Sequence, residues 1–441
     1  MAQILPMRPL RFAEQNHIAD LVAPPYDVIN AAQREELGRK SRHNIAHVDL
    51  PEGDGDGKYT HAAELLGAWK EQGVLRRAER ACMMRYEQTF VPPGGGMPIT
   101  RRGFFGLVRG EPYEQRIVLP HERTLSGPKE DRFRLMRATG AALSPVFFLY
   151  NDPSRMAAAV LEKGPAGDSF TTSDGIIHRV ATIDDPIAIA TIAKALANQP
   201  LFIADGHHRY ETTLRYTATV DAERAGSGLP SLKNGTHRYV LGFFADAGDP
   251  DLMVFPTHRW IHGLAAFDKT SFLASAAQSF DIELTGSVDS SELIERLRRA
   301  ADKGPSVVSA FVDGSAALLT LNDRGALHPA LNAHPEVLRK SDVVVLHTLV
   351  LEAILGITRE MQATQSSLGY YKNAPDAMDT IRRGEGNVVF LMNPTPVDQV
   401  VQACEAGAFM PQKSTYFYPK VLTGLAIHEL NPDVSADWVY A

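Results

Sequence analysis

Four apolar residues, Leu201-Phe202-Ile203-Ala204, run straight into Asp205-Gly206-His207-His208-Arg209, and this junction constrains the chain more than any other stretch. The apolar run predicts a buried strand. Asp-Gly is a turn pair, and the residues from His207 through Glu211-Thr212-Thr213-Leu214-Arg215-Tyr216 predict a helix. Polar side chains are therefore concentrated where a strand hands over to a helix. A helix start offers backbone N–H groups and partial positive charge. Gly206 allows close backbone approach, and the planar fork of Arg209 matches oxyanions. A phosphate or other oxyanion is the natural ligand, with His207 and His208 as further donors. Asp205 can orient a histidine, accept from a substrate, or ligate magnesium. The plainer alternative, histidines that only cap a helix, stays open. Zinc is disfavoured, because neighbouring helical side chains diverge and no Glu-x-x-His partner follows.

Around this junction the chain divides into three expected regions: 1–110, an N-terminal α+β extension; 111–265, which carries the junction; and 266–441, a C-terminal α/β region. Helices are expected over Ala31–Leu37 and Thr60–Gln72, the latter with Ala63, Leu66 and Trp69 at helical spacing. Strands are expected over Ala81–Val91 and Arg102–Arg109, joined by a hairpin tip at Pro92-Pro93-Gly94-Gly95-Gly96. Gln115–Leu119 and Val146–Tyr150 also read as strands, and Gly127–Arg132 as a charged loop. Further on, helices are expected over Ser290–Ala301, Ala374–Arg383 and Pro396–Ala406, with Thr395 as N-cap and Pro396 first in the last of them. Strands are expected over Val307–Val312, Ala316–Leu321 and Asn387–Met392. The whole is of α+β type.

A net charge of -7 and a pI near 6.1 argue against a nucleic-acid coat protein. Cys82 and Cys404 are the only cysteines, so neither a disulfide framework nor a Cys-x-x-Cys metal pair is implied, and a reducing, cytoplasmic compartment fits. Met1–Leu10 does not read as a signal peptide, and no run approaches the length of a membrane helix.

Two further segments pair chemistry-bearing residues. Pro120-His121-Glu122-Arg123-Thr124 ends an expected strand, and a carboxylate placed there can take the proton of a substrate hydroxyl. Pro411-Gln412-Lys413-Ser414-Thr415 sets an ammonium beside two hydroxyls, a combination suited to phosphate oxygens. Either segment by itself also reads as ordinary solvated surface. Tyr26-Asp27, Arg42-His43-Asn44 and Thr257-His258-Arg259 are polar clusters on apparent loops, for which a structural role is favoured.

In this order, Pro120-His121-Glu122, Asp205-Gly206-His207-His208-Arg209 and Pro411-Gln412-Lys413-Ser414-Thr415 resemble the segments of the free-serine kinases of the ParB/sulfiredoxin-like superfamily. Softer matches are Leu368-Gly369-Tyr370-Tyr371 and Val388-Val389-Phe390 leading to Asn393-Pro394-Thr395-Pro396. Over nearly its full length, from Pro24-Pro25-Tyr26-Asp27 to Lys413-Ser414-Thr415-Tyr416-Phe417-Tyr418-Pro419-Lys420, the chain also resembles the bacterial family known as domain of unknown function 1015. The resemblance implies a ParB/sulfiredoxin-like central domain and a kinase that converts free L-serine to O-phosphoserine. It implies Glu122 as base and Asp205 as a second essential group, both catalytic. Gly206, His207, His208, Arg209, Lys413, Ser414 and Thr415 would bind phosphate, and His121 and Thr124 substrate. Magnesium is expected, with ATP, ADP or pyrophosphate as donor and a small molecule, neither nucleic acid nor membrane, as partner. The chain departs from those kinases in its N-terminal extension, in a longer stretch between Glu122 and Asp205, and in lacking the basic pair that follows the Lys-Thr-Thr-type segment of the archaeal enzymes. The same site with water as acceptor would be a phosphohydrolase. A ParB-like module would bind nucleotide without turnover. A sulfiredoxin-like reductase would need a cysteine in the turn, where His207 and His208 stand.

Overall fold

The apolar runs read as strands assemble into one mixed sheet. In a computed structural model, which describes residues 1–92, 95–124, 126–229, 232–286 and 288–437, the sheet order is Val118–Leu119, Leu201–Asp205, Val146–Tyr150, Tyr239–Asp246, Ile99–Arg109, Met83–Phe90, Ile177–Ile183 and Asp168–Thr171. Ile4–Leu5 pairs with the far end of Ile99–Arg109, opposite Val108 and Leu107. Strands expected on either side of residue 110 thus belong to one sheet. Every residue of Val146–Tyr150 is buried, as are Leu201 to Ala204, so these central strands are covered on both faces and need unbroken apolar sequence. On one face Phe148, Ile203, Tyr210 and Phe244 share a core with the helices Met156–Lys163 and Pro186–Leu196. On the other, Phe147, Phe243, Phe105 and Tyr86 make a chain of ring contacts.

The chain forms two compact units, the first comprising Met1–Leu119, Thr124–Met253 and Pro419–Ala441, the second Pro120–Arg123 and Val254–Tyr418. The second has its own six-stranded sheet, antiparallel throughout, in the order Phe280–Thr285, Ala316–Leu321, Ser306–Phe311, Val388–Leu391, His258–Ile261, Leu368–Tyr371. Ser290–Ala300 and Ala374–Arg382 cover one face through Leu293, Leu297, Met378 and Ile381. The other face packs on Leu346–Ile354, which is wound as a π-helix. The α+β character is as expected.

Several local expectations are corrected. Gly127–Arg132 is not a loop but lies within the helix Ser126–Thr139. Its charges are paired sideways: Lys129 with Glu211, Asp131 with Lys58 and Tyr59, and Arg132 with Asp49. Tertiary pairing thus hides a helix whose buried residues include Leu135 and Met136. Only Val118–Leu119 of Gln115–Leu119 is strand, because Tyr113–Gln115 forms a tight turn ended by left-handed Arg116. Thr395 does not cap the following helix, which spans Val397–Glu405 after Pro396; its hydroxyl donates to the Ser414 carbonyl at 2.7 Å instead. Thr257-His258-Arg259 is no loop, since His258 and Arg259 open a central strand. The buried residues of Gly57–Glu71 are Tyr59, Ala62, Leu66 and Trp69. Pro93 and Gly94 of the expected hairpin tip lie outside the described residues.

Candidate active site

In the first unit the Asp205 junction forms as the sequence predicts: Leu201–Asp205 is strand and His207–Gly226 is helix, with Gly206 between them at φ +94°. The ladder to Val146–Tyr150 shifts register between Ile203 and Asp205, which turns the chain out of the sheet. Arg209 then folds back over the turn. Its Nη1 donates to Ser144 Oγ at 3.0 Å and to the Pro145 carbonyl, and its Nη2 to Asp205 Oδ2. Burial, the strongest influence, opposes its charge, yet Asp205, Asp27 and Tyr26 together hold the guanidinium above the usual arginine range. Arg209 is thus engaged inside the protein and braces the turn. His207 is buried and His208 half-buried in the same first helical turn.

The other oxygen of Asp205 accepts from Lys420 Nζ. Lys420 closes the family-like ending, yet nothing in the sequence signals this contact. Its backbone is clamped by sheet residues: Gln88 Nε2 donates to the Lys420 carbonyl at 2.9 Å, and Arg101 Nη2 to the Pro419 carbonyl at 2.6 Å. Arg101 is fully buried, lies 4.8 Å from the Phe147 ring centre, and is pressed down to about 10 by burial. Asp205 therefore bridges two cations, and its side chain keeps 16% exposure. Thr124 also belongs to this unit, where its hydroxyl donates to Glu211 Oε2 at 2.7 Å beside Lys129 Nζ.

A side chain at position 206 has little room. A Cβ there would lie 2.9 Å from Arg209 Cζ and Nε, and the left-handed φ itself costs about 1–2 kcal/mol for a non-glycine residue. Gly206→Ala is expected to lower stability by at least that amount, read as a fall in the urea midpoint at unchanged slope. An unchanged midpoint would show that the turn relaxes freely.

In the second unit two segments nearly three hundred positions apart are fastened together. The Met410 N–H donates to the His121 carbonyl at 2.8 Å, and the Ser414 N–H to Glu122 Oε1 at 3.0 Å. His121, fully buried, meets Thr415 Oγ1 through Nε2 at 2.9 Å. Lys413 is exposed and holds the left-handed region at φ +56°, a conformation that aims the next N–H at Glu122. The Glu122 side chain is 18% exposed. His121, Glu122, Lys413, Ser414 and Thr415 are thus brought together, while Thr124 and the Asp205 turn belong to the first unit.

A family model matches residues 4–344. The chain belongs to the family described as protein of unknown function (DUF1015). No curated protein matches this DUF1015 chain. Among solved structures it is similar to a conserved hypothetical protein from Pyrococcus furiosus, at 14% identity over 72% of this chain and 92% of that one, with a TM-score of 0.35. It is similar to a free serine kinase in complex with AMP, at 12% identity over 72% and 89%, TM-score 0.35. It is also similar to C-terminally truncated SbnI from Staphylococcus aureus, at 9% identity over 76% and 92%, TM-score 0.37. Likeness at this level transfers no residue roles. Among the described residues no helix is long and apolar enough to cross a membrane.

Proposed function

We propose that this chain is a cytoplasmic phosphotransferase that moves a phosphoryl group from a nucleotide or pyrophosphate to the hydroxyl of free L-serine, giving O-phosphoserine. The observation that carries the reading is the Ser414 N–H on Glu122 Oε1 at 3.0 Å. It ties the Pro-His-Glu and Lys-Ser-Thr segments into one constellation, as a shared role in one reaction would require. Glu122 takes the proton of the serine hydroxyl, the serine oxygen bonds to phosphorus, and the bond from phosphorus to the leaving phosphate breaks. Among the described residues, the side-chain hydrogen bond from Ser414 and the approach of His121 both engage Glu122 Oε1, so the proton is assigned to Oε2. Lys413, exposed beside two hydroxyl residues, supplies charge to phosphate oxygens. By the resemblance Asp205 is proposed as a second essential group, braced by Arg209 and ion-paired with Lys420.

Among the described residues magnesium has no protein cage to fit. Among the described residues no group of three or more His, Cys, Asp or Glu side chains could hold an ion, and both Asp205 oxygens are engaged by cations. No step is assigned to it.

The test is to incubate the purified chain with L-serine and magnesium and, in turn, ATP, ADP and pyrophosphate, following products by ³¹P NMR. Phosphoserine from at least one donor is the expected result. Free phosphate alone would make the protein a phosphohydrolase, and bound donor without turnover a binding module.

A further inference from the structure

We propose that Arg259 is a positioning residue for Glu122: from beneath the Lys413–Thr415 turn it fixes the Lys413 carbonyl, and so the Ser414 N–H that holds the carboxylate. This rests on the reading of Glu122 as base. Arg259 comes from a cluster for which the sequence favours a structural role. It is fully buried in the strand His258–Ile261, where an arginine costs several kcal/mol unless its donors are used. Its Nη1 donates to the Thr257 carbonyl and its Nη2 to the Lys413 carbonyl at 3.1 Å, while its buried Nε makes no hydrogen bond. No carboxylate touches the guanidinium among the described residues. Its charge is only partly compensated.

Burial presses Arg259 down to about 10, against which Tyr370 and Glu122 pull upward. The Tyr370 ring centre lies 5.6 Å from the guanidinium. His347 is pressed down to about 3 by burial and then by Arg259. The arginine accordingly acts on the Glu122 carboxylate in two ways. Mechanically, it anchors the one residue of the turn held in a strained left-handed conformation. Electrostatically, its partly compensated positive charge acts on the carboxylate through buried surroundings of low polarity, which strengthen the interaction. A lysine could supply the charge but not the two-armed hold on Thr257 and Lys413.

Three variants of the full chain test this: Arg259→Lys, Arg259→Ala and, as a control, Glu122→Gln. In the serine assay Arg259→Ala is expected to lower kcat about 100-fold, the effect of displacing a reacting group by about an ångström, with KM for serine and donor within about twofold. Added guanidinium is expected to restore at least about tenfold of that loss in Arg259→Ala and nothing in Glu122→Gln. Arg259→Lys is expected to lose about tenfold and gain nothing from guanidinium. A kcat within threefold of the parent in both variants, or a loss confined to KM, overturns the proposal. A second measurement needs no activity. Amide hydrogen exchange across residues 411–418 is expected to quicken about tenfold in Arg259→Ala, as for one lost hydrogen bond to a charged group, and to stay at parent rates in Glu122→Gln. Unchanged exchange in Arg259→Ala sinks the role of Arg259 whatever the assay gives. Absent phosphoserine from the parent chain, with quickened exchange, sinks the kinase reading alone. If Arg259→Ala fails to fold, Arg259→Lys alone decides by the same two measurements.

Discussion

Glu122→Gln is expected to remove phosphoserine formation by about 10²–10⁴-fold, the range that a positioned general base contributes, while the protein melts as the parent does. The two halves of that expectation have separate causes. Glutamine keeps a carbonyl oxygen at the position of Oε1, so the Ser414 N–H retains its acceptor and the junction of the two segments survives. The amide has no basic lone pair for a proton, so the serine hydroxyl would have to attack undeprotonated. Donor binding, measured by calorimetry with a non-transferable analogue, should stay within about threefold, because Lys413, Ser414 and Thr415 keep their places. If Glu122→Gln turned over at a rate near the parent's, the base would lie elsewhere and the function proposed above would lose its centre. If instead it unfolded, Glu122 would be a structural clasp for the Lys413–Thr415 turn.

How much of this was legible in the sequence depended on whether a residue's partners lie near it in the chain. The backbone of the Asp205 junction was legible because the signals that set it are local: an apolar strand, a turn glycine and a helix start. The strands Val146–Tyr150 and Ala316–Leu321 were found with their observed bounds, since burial on a sheet writes itself into consecutive residues. Orientation was not legible. Arg209 read as a phosphate fork, yet Ser144 and Pro145, more than sixty positions away, draw Nη1 inward. Lys420 carried no local signal for its contact with Asp205, because that contact depends on Gln88 and Arg101 clamping a distant strap. The charged stretch Gly127–Arg132 misled for the same reason. Its charges look solvated until Asp49, Lys58 and Glu211 are brought beside them. Thr395 and Arg259 are the instructive pair. Each has a sound local explanation, as a cap and as a loop cation, and each in fact holds a carbonyl of the Lys413–Ser414 turn.

Asp205→Asn is expected to cost about 3–5 kcal/mol of stability as well as the transfer activity, because it leaves Arg209 and Lys420 without their shared anion in a largely buried place. An asparagine can offer its oxygen to one cation only, and its amide then points N–H groups at the other. With total stabilities of about 5–15 kcal/mol, such a loss would be visible as a large drop in the urea midpoint. The cause can be separated from mere loss of a hydrogen bond by a cycle with Lys420→Met. Removing the ammonium alone leaves Asp205 with Arg209, so Lys420→Met is expected to be the milder change in stability. Making both changes should cost clearly less than the sum, since the introduced asparagine would then have a single cation to serve. Additive losses would mean that Lys420 and Asp205 do not share their energy, and the contact between them would be incidental. The same cycle read in phosphoserine formation separates brace from reactant. If Lys420 meets the donor's phosphate, Lys420→Met should raise KM for the donor beyond its effect on stability, whereas a purely structural strap would lower stability with KM unchanged.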